Sequence, residues 1–353
     1  MNHKLLSIFN HTTNSYKFYW WLSIIELIKD EKASELYFDD IVINLISKIW
    51  YPVNYFKLSF GKQDQLSKHV LSIKNKFDLN DDIKRKELIK FLCNNRNNKL
   101  VKNAINEITK YVPYRFLRSF YSQETRGLKD ALVNDKIIML QDIKHEIPYV
   151  IEVTTKKIII TRQNIDWVLE NYLLIYSFTQ YELLKYLEKH NSSIPNIISK
   201  LNKPENRKLS LPTKLWSKYI SENPNEKDVF ENKPFISFNK KSIDHFMPWS
   251  FLTHDKIWNL HPIEYTINSS KSNMLPHKNY LKPFLSLQYN FSRFLLKVDY
   301  NKQLEDYYLL FNCSKDEFEN IRKPLFVEKM EKSYNPKFEI AVNMGYEENW
   351  KLT

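Results

Sequence analysis

The chain has 353 residues, a formal net charge of +12 and only three glycines. At 43% hydrophobic and 15% aromatic residues, the composition excludes wholesale disorder. The scattered glycines (Gly61, Gly127, Gly345) exclude a glycine-rich phosphate-cradling loop. The two cysteines, Cys93 and Cys313, stand too far apart for a Cys-x-x-Cys zinc site and point to a reducing compartment. The length suits two or three compact units. The positive charge suits a polyanionic partner, although the joint richness in Lys, Asn, Ile, Tyr and Phe equally fits an AT-rich coding bias. No apolar run approaches the ~20 residues needed to span a bilayer, and MNHKLLSIFNHTTNS has no signal-peptide pattern. A soluble, cytoplasmic protein with no membrane partner is expected.

In chain order, Ser15 is placed to cap a helix through YKFYWWLSIIELIKD, with Tyr16, Tyr19, Trp20, Ile24 and Leu27 at helical spacing. That stripe reads as core rather than as a base-stacking platform. A second helix fits Asp39–Trp50 and ends at Pro52; others fit Gln65–Lys76, Asp81–Cys93 and Leu100–Tyr111, the last stopped by Pro113. Next comes RFLRSFYSQETR, where Arg115, Arg118 and Arg126 interleave with aromatics. Nucleic-acid contact by Arg115 and Arg118 and a solvated basic helix face both account for it. Lys136–Leu140, Tyr149–Val153 and Lys157–Thr161 read as strands, the last two as a β-hairpin. Gln163–His190 reads as one long helix capped by Asn164, and the Pro-punctuated Lys203–Glu231 as a linker in which Leu215, Trp216 and Tyr219 pack as a short helix. Beyond residue 280, helices fit Leu281–Leu296 and Asp316–Met330, and the apolar ending reads as a packed tail.

The chemistry concentrates in IDHFMPWSFLTHDKIWNLHPIEYTINSSKSNMLP, from Ile243 to Pro276. An Asp-His pair (Asp244, His245) is followed by Asn259, Asn268 and Lys271. A strand ending in Asp-His puts the two side chains on opposite sides of the backbone, so that one can hold a metal while the other faces substrate. A loop, a second strand over Trp258–Ile263 and a short helix over Thr266–Met274 follow, and on that helix Asn268 and Lys271 share a face. Lys240 and Lys241 form a basic patch before the pair and are candidates for nucleic-acid contact. His254, Asp255, His261 and His277 match no zinc spacing and read as structural or exposed.

This stretch resembles the HNH (ββα-metal) endonucleases. Its order D-H, N, N, K, with D-H-x-x-P-x-S-F-L, is especially similar to the HNH domain of type II CRISPR effectors, and stand-alone bacterial HNH defence or restriction nucleases are a further likeness. The resemblance covers about a tenth of the chain. It implies His245 as general base, and Asp244 and Asn268 as holders of one divalent ion, Mg²⁺ or alternatively Mn²⁺. It further implies that Asn259 fixes the loop carrying His245 and that Lys271 contacts the phosphate or stabilises developing charge. The last motif position, often His, is Asn here, and the paired zinc-binding cysteines of many HNH domains are missing.

The expected fold is mainly α, with a small embedded ββα-metal α+β domain and a short β-hairpin. Its expected regions are a helical 1–130, a hairpin plus long helix over 131–202, a linker over 203–231, the HNH domain over 232–280 and a helical 281–353. The implied function is metal-dependent hydrolysis of DNA phosphodiester bonds, one strand per site, in bacterial anti-phage defence or restriction and under a regulatory protein partner. The alternatives are a nucleic-acid-binding subunit with a silent HNH site, and an RNA-cleaving nuclease.

Overall fold

The aromatic stripe near the N-terminus becomes the centre of a helical unit. The computed structural model describes residues 8–9, 12–143, 147–203, 207, 209–235 and 241–352. They fall into two units, Met1–Ser192 with Lys200–Asn202, and Ser193–Ser199 with Lys203–Thr353. The chain is mainly α-helical, with one three-stranded and one two-stranded sheet among the described residues.

In the first unit, α1 (Tyr16–Glu31) is buried almost all round, because Phe18, Trp21, Leu22 and Ile25 go inside with the expected stripe. A helix apolar on every side belongs in the middle of a core. Ser15 precedes it but does not cap it by its side chain. Its N–H and Oγ–H instead donate to Oδ2 of Asp64, at 2.6 and 2.7 Å. Asp64 also accepts from the Leu66 N–H, so one carboxylate joins the starts of α1 and of a later helix. The strand β1 (Glu35–Tyr37) leads into α2 (Phe38–Trp50), which runs on through a π-helical turn at Tyr51–Tyr55 containing Pro52. Then come α3 (Leu66–Phe77), α4 (Arg85–Asn94), α5 (Lys99–Thr109) and α6 (Val112–Leu117). Pro113 opens α6, a first-turn position where its missing N–H costs nothing.

Three expectations change here. Lys136–Leu140 is not a strand but lies within α7 (Asp130–Gln141). A short apolar run does not discriminate between the two periods. Val133, Ile137 and Gln141 repeat every fourth residue on the buried face, and the Gln141 amide bonds both backbone groups of Ile151. The hairpin does form, as β2 (Val150–Glu152) and β3 (Lys157–Ile159), and β1 adds to it in the order β1-β3-β2, all antiparallel. The long helix is two, α8 (Arg162–Glu170) and α9 (Tyr172–His190). Asn171 breaks it by turning its side-chain amide back to the Trp167 carbonyl, the local competition typical of asparagine. Thr161, not Asn164, caps α8.

The second unit holds the motif. Within the expected linker, α10 (Ser210–Glu222) buries Leu215, Trp216, Tyr219 and Ile220 in its core, with Trp216 stacked on Phe291 at 3.6 Å. Next come β4 (Lys241–His245), the one-turn α11 (Trp249–Leu252), β5 (Leu260–Glu264) and α12 (Tyr265–Lys271). Phe235 ends the described stretch before β4. The frame around this ββα element is α13 (Leu281–Lys297), α14 (Asn301–Phe311), α15 (Lys315–Glu319) and α16 (Lys323–Asn343). The expected Asp316–Met330 helix is thus divided. Pro324 starts a new helix in its own first turn. The tail packs: Trp350 bridges Pro276 and its indole N–H reaches Ser270 Oγ, tying down the segment after α12. No helix is long and apolar enough to cross a membrane.

Candidate metal and nuclease site

The site is built on the β4–β5 pair. Its antiparallel register sets Asp244 opposite His261 and His245 opposite Leu260. Side chains alternate along β4: Lys241, Ile243 and His245 are buried, whereas Ser242 and Asp244 are half-buried on the other face. The chain leaves β5 directly into α12, whose Asn268 donates to Ser242 Oγ at 3.0 Å. The amide therefore joins the face of β4 that carries Asp244.

Three residues on along α12, less than one turn, Lys271 points inward. It is fully buried, with Nζ 2.9 Å from both Asp244 Oδ2 and the His245 carbonyl oxygen. Burial works to raise the Asp244 carboxyl, but Lys271, His261 and His245 together outweigh it and hold the group below its ordinary value. Asp244 is therefore a carboxylate at neutral pH. Lys271 takes Oδ2, and among the described residues no protein group bonds Oδ1.

Asn259 is fully buried and clamps the chain that follows His245. Its Oδ1 accepts from the Met247 N–H and its Nδ2 donates to the Met247 carbonyl, both at 3.0 Å. Tyr334 of α16 donates its hydroxyl to the same Oδ1. The amide thus behaves like a strand partner supplied by a side chain, and it fixes where β4 ends.

His245 is 1% exposed, and its Nε2 lies 2.9 Å from Asp255 Oδ1. With the carboxylate on Nε2, that nitrogen carries the hydrogen and Nδ1 is left as the acceptor. The sequence offered little to single out Asp255. A carboxylate ten residues after the histidine, across a loop, was the available signal. His261 was likewise set aside. It is fully buried and uncharged at neutral pH, because burial pushes it down to about 4 against the pull of Asp244. Its Nδ1 faces the Pro262 carbonyl at 3.1 Å, and among the described residues its Nε2 has no hydrogen-bond partner. His254, also pushed down to about 4 by burial, packs edge-on against Trp258.

The donors suit a hard divalent cation. Asp244 Oδ1 and the Asn268 amide are oxygen ligands of the kind such ions take with a partial water shell, and His261 Nε2 is a further buried lone pair on the strand opposite Asp244. Among the described residues no three His, Cys, Asp or Glu side chains converge on a metal position.

The expected nucleic-acid contacts are four, Lys240, Lys241, Arg115 and Arg118. Lys240 lies outside the described residues. The Lys241 side chain is only 8% exposed, with its ammonium 3.6 Å from Glu264 and over the Phe235 ring, so it is not presented as a free surface cation. Arg115 and Arg118 belong to the first unit, where they line a cavity.

Residues 231–277 match a family model described as HNH endonuclease. No curated protein and no solved structure matches the chain. The ββα stretch is thus similar to the HNH endonucleases, whose domains generally employ a divalent metal ion.

Proposed function

We propose that the protein is a metal-dependent endonuclease that hydrolyses DNA phosphodiester bonds, nicking one strand per site. The observation that carries this reading is the grouping of Asp244, Asn268 and Lys271 on one face of the strand pair and helix, with the Asp255-paired His245 next to Asp244 on β4, inside the matched HNH segment. Asp244 and Asn268 would hold the ion, Mg²⁺ by the hardness of its oxygen donors, with Mn²⁺ as substitute. When bound, that ion supplies charge neutralisation at the scissile phosphate and at the leaving 3′ oxygen. His245 takes the proton of the attacking water at Nδ1, while Asp255 holds the ring by Nε2 and stabilises the imidazolium that forms. Asn259 positions the base through Met247. Lys271 keeps Asp244 ionised and fixes the end of β4, and its burial makes it a positioning residue rather than a phosphate contact.

Supercoiled plasmid with Mg²⁺ or Mn²⁺ tests this. Wild type should yield open circles before linear DNA, and His245→Ala and Asn268→Ala should not. Linear product appearing first from a monomeric sample would overturn the one-strand reading, and activity retained in both variants would place the site elsewhere. A competition between DNA and RNA of the same sequence decides the substrate, since the mechanism does not use the 2′-hydroxyl. A role in anti-phage defence or restriction, with a protein partner that controls cutting, is the biological setting we propose.

The near-complete burial of His245 favours a second reading, a closed or silent site on a nucleic-acid-binding protein. DNA affinity without cleavage in either metal, with or without partner, would select it.

A further inference from the structure

The first unit contains a cavity of about 1090 Å³, bounded by the start of α1, by α5 and α6, and by the start of α7. Lys17, Lys110, Arg115, Arg118 and Arg126 line it against the acids Glu107 and Asp130. The acids do little to neutralise the floor. Glu107 is 3.2 Å from His69, and Asp130 is 77% exposed while sharing one oxygen between Arg115 and Arg118, at 3.5 and 3.2 Å. Exposed pairs of that kind are weak. Arg115 donates from Nη2 to the Asp130 carbonyl at 2.8 Å, but among the described residues its buried Nη1, 3.5 Å from the Asp130 carboxylate, makes no hydrogen bond. Among the described residues Lys17 has no carboxylate partner, and its Nζ reaches only the Ile8 carbonyl at 3.4 Å. Three cations thus converge on a recess with too little negative charge.

We propose that this cavity binds a phosphorylated nucleotide, its phosphates on Lys17, Arg115 and Arg118 and its base against the half-exposed Tyr111 ring. Converging cations without matching acids are the arrangement a polyanion relieves. The volume is far larger than a lone phosphate needs and slightly exceeds the usual range of small-ligand sites, about 300–1,000 Å³. Tyr111 is 44% exposed at the rim, with Lys110 and Arg115 over its ring at 5.1 and 5.7 Å, so a base would stack on its exposed ring surface beside these cations. Gln63, Gln65 and Asn14 add amide groups suited to a base edge or sugar. A free nucleotide fits better than a strand of nucleic acid, because the arginines are recessed, with side chains 18% and 35% exposed, rather than set out along a surface track. Burial, with Arg118 and Arg115 adding to it, already pushes the Lys17 ammonium down to about 8. This inference stands independently of the nuclease reading.

Calorimetric titration of the full chain without added metal tests it, using ATP, inorganic pyrophosphate, adenosine and a short single-stranded DNA. ATP and pyrophosphate should bind. Adenosine should bind at least about tenfold more weakly than ATP, and Lys17→Met and Arg118→Ala should each weaken ATP by about tenfold or more. In wild type, ATP should also slow amide hydrogen exchange across residues 110–119, a readout that needs no variant. The proposal is overturned if ATP gives neither binding heat nor protection there. It is overturned equally if folded variants bind ATP as wild type does, or if the DNA strand binds more tightly and displaces ATP.

Discussion

Two buried lysines show how differently the two units use positive charge. Lys271 is fully enclosed, yet its ammonium meets a carboxylate and a carbonyl at 2.9 Å, and the Asp244 it serves stays ionised. Lys17 is partly enclosed and meets one distant carbonyl, with Arg115 and Arg118 as its charged neighbours. The first arrangement is complete without a ligand, because burying a charge is tolerated where a partner and hydrogen bonds accompany it. The second is incomplete. The difference separates charge that holds a site in shape from charge kept for something that arrives.

The strongest way to test the first region is at its base. His245→Ala should lower plasmid nicking by about 10²–10⁴-fold, the usual worth of a positioned general base, with circular dichroism unchanged. A loss below tenfold would break the assignment. Asp255→Asn should cost less than His245→Ala, since the ring remains and only its tautomer and orientation suffer.

Next in size is Lys271→Met, which leaves the Asp244 carboxylate buried without its cation. Removing one member of a buried pair typically costs about 3–5 kcal/mol, and urea unfolding should show a loss of that order. A change under about 1 kcal/mol would mean that water already serves Asp244, and that Lys271 is less structural than its burial implies. Asn259→Ala follows. It strips the partners from both backbone groups of Met247, each a buried polar group worth about 1–3 kcal/mol when left unpaired. Asn259→Asp, which keeps the acceptor and loses the donor, should fall between wild type and alanine in both nicking and urea midpoint.

These two regions also differ in how far they could be read from sequence. Asp244, His245, Asn259, Asn268 and Lys271 lie within one short stretch in which a strand pair and a helix follow without interruption, so spacing carries geometry. What spacing did not carry was direction. Lys271 shares a face with Asn268 on α12, but that it turns inward to Asp244 depends on how α12 packs on β4. Lys241 likewise reads as a surface cation until its strand pairs and sets it against Glu264 and Phe235. In the first unit the cavity draws on residues from Thr12 to Ala131, spread over five α-helices and a 3-10 turn. Arg115 and Arg118 stood out because aromatics surround them, whereas Lys17 is one residue in an apolar helix and is joined to them by folding alone. Helix existence was legible from periodicity. Breaks were not: Asn171 splits one pattern by a single side-chain bond, and the run at Lys136–Leu140 satisfied two periods at once.

The smallest effect should come from Lys17→Met, and its sign is what sharpens the contrast. In the unfolded chain Lys17 keeps its proton up to its ordinary 10.5, whereas in the folded chain burial and the two arginines bring release down to about 8. Between those values the unfolded state binds more protons, so this residue makes stability rise with pH across that window. Below it, wild type carries an ammonium that folding disfavours. At pH 7, therefore, Lys17→Met should be neutral or more stable by urea unfolding, opposite in direction to Lys271→Met. The advantage should vanish by about pH 10.5, as the wild-type lysine becomes neutral in the folded state and then in the unfolded one. Nucleotide affinity in wild type should fall as pH rises through 8, because the ammonium is the species that meets phosphate. A variant that loses stability at pH 7, with no pH-dependent difference from wild type, would show that Lys17 is satisfied where it stands, and the contrast between the two lysines would fail.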